Sequence, residues 1–249
     1  MRSQSSVAGV ISRDRLVIAS CIVFISALAW TYLVHLSSQK MTMPMTTSWT
    51  CADFFFTFAM WSVMMIGMMS ATAFPVLSLF SSMRKNRTGS ALDKTVLLFG
   101  LGYLIMWVGF SVVAAFAQWG LHEAALLSPK MATTSSVLGG AVLLLAGAYQ
   151  LTPTKGACLR QCQSPLGFLM TNWREGARGA LVMGLKHGKY CLGCCWALMC
   201  VLFVVGVMNL AWVAALTAFI LIEKFGRSGS YVARLGGVAM IAAGILVMK

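Results

Sequence analysis

The sequence has little charge, few acidic side chains and few histidines. Of its 249 residues, 10% are charged, six are Asp or Glu, and three are His. It contains no P-loop, no GxGxxG opening a helix, no HExxH, no GxSxG and no CxxCH motif. These absences argue against an ATP-driven pump, the corresponding enzyme families and a c-type haem protein. Three histidines are also too few for a haem pair or a coupled two-copper centre.

The sequence is instead rich in apolar residues. They make up 59% of the chain, against roughly 45–50% in a soluble domain, and they occur in runs of the ~20 residues needed to cross a bilayer. The pattern predicts an all-α fold: one polytopic transmembrane helix bundle over residues 1–249, with about seven spans, or six without the short sixth. The predicted spans are 16–36, 54–80, 95–119, 137–152, 190–208, 210–222 and 231–248.

The distribution of Lys and Arg predicts the orientation of these spans. With the N-terminus cytoplasmic, every basic residue except Lys40, Lys130 and Lys249 falls on the cytoplasmic side, where short loops collect positive charge. The segment 153–189 becomes a cytoplasmic loop, and in a bacterium the chain is a multi-pass inner-membrane protein with the lipid bilayer as its surroundings. The net charge of +13 does not indicate nucleic-acid binding, because the basic residues lie in short clusters between apolar runs.

The first span has an alternative interpretation. Arg13, Arg15, the following apolar run and the small-residue triplet 27–29 also resemble a secretory signal with a cleavage site. The apolar run continues beyond that triplet through Trp30 and Val34 to full spanning length. An uncleaved membrane anchor is therefore the favoured interpretation.

The most specific motif lies at the start of the predicted fifth span. On a helix, His187, Cys191, Cys194 and Cys195 share one face, and Met199 lies at its edge one turn further on. Soft sulfur ligands select Cu(I), zinc or iron–sulfur clusters, and a thioether shifts that preference towards Cu(I), with zinc as the less favoured alternative. The competing interpretation is that the cysteines are small residues that pack helices closely.

A second sulfur-rich motif occupies the predicted second span. Met60, Met64 and Met68 recur at helical spacing, with Met65 and Met69 beside them. Five thioethers along one helix could form a path for a soft metal ion, but methionine also fills irregular gaps in any apolar core. The sequence alone leaves both interpretations open.

Two shorter motifs lie in predicted loops. Met41, Met43 and Met45 alternate in the first outer loop, where thioethers could capture Cu(I) without losing a proton. Cys158 and Cys162, in the cytoplasmic segment, have the spacing that puts two thiols on one side of a helical turn. This spacing is compatible with metal binding or thiol exchange by Cys158 and Cys162, and the alternative is that they are two incidental thiols.

The polar residues at the ends of the predicted spans have a simpler interpretation. Tyr149 and Gln150 end the fourth span, and Glu223 and Lys224 end the sixth. Such groups commonly form hydrogen bonds at the membrane interface. We therefore predict a structural role for them.

Several of these strings together resemble a known family, the bacterial predicted metal-binding integral membrane proteins. Some members act as copper chaperones for a tyrosinase-type polyphenol oxidase. The resemblance spans most of the chain and rests on these segments: 60–69, 147–153 with Lys155 and the Cys158/Cys162 pair, 184–188, 191–199, 206–210 and Glu223-Lys224. It implies a membrane protein that binds copper, with a client copper oxidase or a soluble copper-binding protein as partner. An oligomer is compatible with it.

The leading hypothesis is a Cu(I) chaperone or conduit, not an enzyme. In it Met41, Met43 and Met45 capture the ion, the thioethers of the second span pass it inward, and Cys191, Cys194 and Cys195 hold it. One alternative is a membrane thiol–quinone oxidoreductase that uses Cys158 and Cys162 with Cys194 and Cys195. A second alternative is a metal-free structural subunit of a membrane complex.

Overall fold

Most of the chain is helical in the part that the structure describes. The computed structural model describes residues 2–38, 50–88, 94–124, 126, 133–226 and 228–249, and within these ranges it contains no β-strand. The helices are α1 (Arg2–Ser38), α2 (Cys51–Thr88), α3 (Lys94–Glu123), α4 (Ser136–Gln150), α5 (Pro153–Gln163), α6 (Pro165–Asn172), α7 (Gly176–Cys200), α8 (Leu202–Val205), α9 (Leu210–Phe225) and α10 (Gly229–Met248). The predicted all-α class is confirmed.

The number of spans is lower than the predicted seven. Five segments of the described residues are long and apolar enough to cross a membrane: Arg15–Ser38, Cys51–Arg84, Lys94–Glu123, Gly176–Val205 and Gly229–Met248. Helices α4 and α5 pass the same test only together, as a pair bent by 63°. The predicted span 210–222 corresponds to α9, whose 16 residues extend about 24 Å at 1.5 Å per residue and fall short of a ~30 Å hydrocarbon core.

The bend between α4 and α5 follows from the local sequence. Thr152 has an extended backbone, and its side chain accepts a hydrogen bond from the Lys155 amide, so it caps α5. Pro153 is the first residue of α5, where the N–H that proline lacks is not needed. A new helix therefore begins at this point instead of a continuation of α4.

Residues 153–189 form packed helices instead of the predicted loop. Lys155 and Leu159 of α5 are buried, as are Phe168 and Leu169 of α6. Helix α7 begins at Gly176, not at residue 190, and Gly176 has a φ of +77°, which favours glycine. Helices of 11 and 8 residues are too short for a sequence pattern to reveal clearly.

Glycines allow the closest helix contacts. A β-carbon on Gly184 of α7 would collide with the backbone carbonyl of Phe99, and one on Gly102 of α3 would collide with the carbonyl of Leu181. Helices α4 and α10 approach each other in the same way at Gly147 and Gly237. Close backbone approach at small residues is the usual way in which membrane helices associate.

The orientation of the bundle stays a prediction, and cysteine labelling tests it. Cys51 is exposed at the start of α2, at the end that the charge pattern places outside the cytoplasm. In right-side-out vesicles, we expect a membrane-impermeant maleimide to label a single-cysteine variant that keeps Cys51. A matched variant that keeps Cys158 should react only after permeabilisation. The reverse pattern would place the N-terminus outside.

Candidate metal centre

Helix α7 presents the predicted sulfur face to the protein interior. His187, Cys191, Cys194, Cys195 and Met199 are all at most 2% exposed. The thiols of Cys194 and Cys195 donate hydrogen bonds to the backbone carbonyl of Cys191, at 3.0 and 2.9 Å. Such bonds to the preceding turn satisfy polar groups within a helix. The three cysteines therefore lie together on one helical turn.

Helix α5 adds further thiols to this turn. The Cys162 sulfur lies 4.0 Å from the Cys194 sulfur and within hydrogen-bonding reach of Cys191. The Cys158 sulfur lies against the backbone of α7, because a β-carbon on Gly193 would be only 2.9 Å from it. The structure thus brings the Cys158/Cys162 pair next to the cysteines of α7, which are about thirty residues away along the chain.

A buried lysine faces these sulfurs. Lys224 of α9 is 5% exposed, and its ammonium group donates a hydrogen bond of 2.8 Å to the Cys191 sulfur. It also interacts electrostatically with Cys162, Cys194 and Cys195. A buried ammonium needs an opposite charge nearby, and a cysteine thiolate can supply one. We call Cys162, Cys191, Cys194, Cys195 and Lys224 the sulfur cluster.

Two hydroxyl groups complete the surroundings of Cys191. The Tyr103 hydroxyl of α3 lies 3.1 Å from the Cys191 sulfur, and the Thr72 hydroxyl of α2 lies 3.6 Å from it. The two hydroxyls are 2.8 Å apart, and each can donate to the Met69 carbonyl. Side chains from α2, α3, α7 and α9 therefore meet at this one sulfur atom.

A buried ion pair holds α9 beside the sulfur cluster. The Lys155 ammonium lies 2.8 Å from both carboxylate oxygens of Glu223, and both side chains are 1% exposed. Gln150 donates a further hydrogen bond of 3.1 Å to that carboxylate, and Gln163 donates one of 2.7 Å to the Glu223 carbonyl. Because Lys224 follows Glu223, this network fixes the position from which Lys224 reaches Cys191.

The methionines of α2 and the cysteines of α7 belong to the same buried core. Thr72 contacts Cys191, and further along α2 the Trp61 ring lies 5.0 Å from the Phe203 ring. From the first contact to the second, the residue number falls on α2 and rises from α7 to α8. The two segments are therefore antiparallel. By helical rise, Met68 lies level with Cys195, and Met64 lies level with Met199.

All five methionines belong to the apolar core that also contains the cysteines of α7. The exposed fraction is at most 1% for each of these side chains: Met60, Met64, Met65, Met68 and Met69. Their burial is compatible with core packing and with a path for a soft ion. A path to the cysteines would require the methionines to lie in the same core, and they do.

The thiols must rearrange before they can bind a metal ion together. Within the described residues, no three His, Cys, Asp or Glu side chains are already placed as ligands of one ion. Two sulfurs that are each 2.3 Å from a tetrahedral ion are roughly 3.8 Å apart, close to the 4.0 Å between Cys162 and Cys194. Cys194 and Cys195 would have to release the Cys191 carbonyl and rotate towards the ion. The donor set is that of a soft, thiophilic metal.

His187 has a different environment from the thiols. Its ring packs against the rings of Phe99, Tyr103 and Phe168, with centroid distances of 6.2, 5.8 and 5.0 Å. Its Nδ1 atom has no hydrogen-bond partner among the described residues. The predicted role of His187 as a metal ligand stays a prediction, and so does that of Met41, Met43 and Met45, which lie outside the described residues.

Sequence reasoning missed the cationic and hydroxyl groups around Cys191. Glu223 and Lys224 were expected at the membrane interface, but they are 1% and 5% exposed. The sequence did contain a signal for them. Acidic residues are rare in this chain, with only six in total, and a charged pair at the end of an apolar helix is costly without partners. Tyr103 and Thr72 carry no comparable signal.

Comparison with known proteins gives one family. A family model described as "PpoB2: Copper chaperone" matches residues 58–247, which is more than half of the chain and includes every residue of the sulfur cluster. No curated protein and no solved structure gives a match.

Proposed function

The chain belongs to the PpoB2 copper chaperone family, and from this premise we propose that it is a membrane-embedded Cu(I) chaperone that holds its cargo at the sulfur cluster. In this role it is a copper-transfer protein, not an enzyme. Its client is a copper enzyme, and its site of action is the bacterial inner membrane. The helices long enough to cross a bilayer support membrane embedding.

The convergence of four cysteine sulfurs beside one buried ammonium carries the proposal. Cys162 comes from α5, and Cys191, Cys194 and Cys195 come from α7, so the cluster depends on the tertiary fold. Packing alone would explain small side chains, but it would not explain a buried lysine whose ammonium donates to a sulfur. A cation beside cysteine favours the thiolate form, which is the form that binds metals.

Transfer would proceed by exchange of sulfur ligands. Thioethers bind Cu(I) without losing a proton, whereas thiols release a proton as they bind. An ion held by Met64 or Met68 could pass to Met199 or Cys195, which lie at the same levels, and then to the remaining thiolates. The flexible methionine side chains would carry the ion between neighbouring sites while the helices stay in place.

The thioethers also support the choice of metal. Zinc and Cu(I) both bind thiolates, but methionine ligands suit Cu(I) and are not used in typical zinc sites. A line of methionines that leads to the cysteines therefore favours Cu(I) as cargo. Met41, Met43 and Met45 remain the proposed capture site for the ion.

Metal analysis tests the proposal directly. The detergent-purified protein would be incubated anaerobically with excess Cu(I) and a reductant, then freed of unbound metal. We expect near-stoichiometric copper in the wild type and little copper in a Cys191→Ser, Cys194→Ser, Cys195→Ser variant. Cys200→Ser is the matched control, because Cys200 lies on the same helix outside the sulfur cluster; it should keep its copper.

Two results would overturn the proposal. Wild-type protein that takes up no Cu(I) would favour thiol redox chemistry or simple packing, and the 4.0 Å separation of Cys162 and Cys194 would then direct attention to disulfide formation. Copper retained by the triple variant would place the metal elsewhere in the chain.

A further inference from the structure

An apolar groove separates α1 from α3 on the outer face of the helix bundle. Its volume is about 340 Å³, within the ~300–1,000 Å³ range of ligand-binding pockets. Helices α1 and α3 form its walls, and α2 forms its floor at Ser70, Ala73 and Leu77. Most of its lining is aliphatic, which suits a hydrocarbon chain.

Two regular stripes of side chains form the walls. On α1 the lining residues Ile18, Ile22 and Ile25 follow Arg15 at spacings of three, four and three residues. On α3 the lining residues Leu97, Leu101 and Leu104 follow Lys94 at the same spacings. Residues at these spacings share one face of a helix, so each wall begins with a cation on the face that lines the groove.

The two cations lie at the same level of the bundle. Gly67 of α2 faces Ala29 of α1 so closely that a β-carbon on Gly67 would be 3.1 Å from that of Ala29. Thr72 of α2 contacts Tyr103 of α3 at 2.8 Å. Helices α1 and α3 both run antiparallel to α2. Arg15 precedes Ala29 by 14 residues, and Lys94 precedes Tyr103 by nine, so both cations lie level with residue 81 of α2.

We propose that this groove binds one acyl chain of an anionic phospholipid, with the lipid phosphate between Arg15 and Lys94. Both basic side chains are exposed and can turn towards a headgroup, and basic residues at a membrane boundary attract anionic lipids. The acyl chain would run along the two stripes for roughly 15 Å, the rise of ten helical residues. It would end against Tyr103, which lines the groove and contacts Cys191.

Lipid retention measured by native mass spectrometry tests this proposal. The protein would be taken from nanodiscs of equal parts phosphatidylglycerol and phosphatidylcholine. We expect the wild type to retain phosphatidylglycerol preferentially. In an Arg15→Gln, Lys94→Gln variant this preference should fall about thirtyfold, because each interfacial cation contributes about 1 kcal/mol. A Lys186→Gln, Lys189→Gln variant removes two exposed charges on α7 and should retain the preference.

A second variant tests the groove without changing any charge. Gly100 lines the groove and has no heavy atom within 4 Å of its β-carbon position, so a side chain can start there and the ring in Gly100→Phe would occupy the groove. It should lower the number of retained lipids of either kind. Gly109→Phe, at an equally open position of the same helix, is the control.

Each outcome decides the proposal. Equal retention of the two lipids by the wild type, or no effect of the charge variant, would exclude an anionic-lipid site. Retention unchanged by Gly100→Phe would exclude the groove as the place of binding. Copper binding by the same samples is measured separately, so failure of the lipid site would leave the proposed Cu(I) function standing.

Discussion

A Glu223→Leu substitution is expected to lower the free energy of unfolding by about 3–5 kcal/mol, the usual effect of removing one partner of a buried ion pair. Lys155 is 1% exposed and would keep a charge that its surroundings no longer neutralise. The Gln150 amide would also lose its acceptor. Denaturant titration in mixed micelles, followed by circular dichroism, measures the effect.

A double variant separates the effect of an unpaired buried charge from the effect of changing the side-chain volume. Lys155→Met combined with Glu223→Leu removes both charges, and replacing a buried pair by apolar residues is often close to neutral. We expect the double variant to recover most of the loss, except about 1–3 kcal/mol for the unsatisfied Gln150 amide. Copper uptake by the double variant would show whether Lys224 keeps its place without the ion pair.

An exposed carboxylate provides the matched control. Glu175 pairs with Arg84 at 3.4 Å, and its side chain is 58% exposed. Glu175→Gln should change the free energy of unfolding by no more than about 1 kcal/mol, because water already solvates this carboxylate. Equal effects of Glu223→Leu and Glu175→Gln would contradict the burial of the Lys155–Glu223 pair.

The second large effect is expected at Gly184, where α7 and α3 touch. In a Gly184→Ala variant, the new methyl group would collide with the Phe99 carbonyl and would lie 2.8 Å from the Phe99 carbonyl carbon. Backbone atoms cannot rotate away as a side chain can, so the helices must separate. Overpacking of this kind costs roughly 1–3 kcal/mol or more.

The same substitution should also weaken copper binding, since the α3–α7 contact brings Tyr103 to Cys191. The measurements are the unfolding free energy and the copper content of the purified variant. Gly109→Ala is the control on α3, where no atom lies within 4 Å of the added methyl group. Alanine is the better helix former by roughly 0.5–1 kcal/mol, so the two substitutions should have opposite signs. Loss of stability in both would show that helix contact is not the cause.

Much of the fold could be predicted from periodicity and composition. The apolar runs predict helices, and four of the predicted spans coincide with long helices of the structure, α1, α2, α3 and α10. The face shared by Cys191, Cys194 and Cys195 depends only on helical geometry, and all three are buried together. The segment 153–189 was less predictable, because its helices are stabilised by burial of Leu159, Phe168 and other residues against distant helices rather than by their own pattern.

Cys162 was a predicted site residue, and one alternative combined it with Cys194, but the contacts of Lys224 and Thr72 with Cys191 were not predicted. Cys162 is 32 residues from Cys194, Lys224 is 33 from Cys191, and Thr72 is 119 from Cys191. A spacing rule within one helix contains no information about such pairs. The sequence indicated such contacts in one way only. Glu223 and Lys224 are charged residues in an apolar protein, and they require partners that the local sequence does not supply.

The Lys155–Glu223 pair also limits the order in which the helices can pack. Lys155 is synthesised 68 residues before the carboxylate that neutralises it, and a lone lysine in hydrocarbon costs about 3 kcal/mol. Helix α9 has the same problem, because Glu223 and Lys224 in its last turn are charged groups that need partners in the bundle. Neither charge is neutralised until both helices are in place, so we expect α5 and α9 to pack into the bundle together. Because Lys224 lies on α9, 33 residues after Cys191 in the sequence, the sulfur cluster is complete only once α9 has been translated.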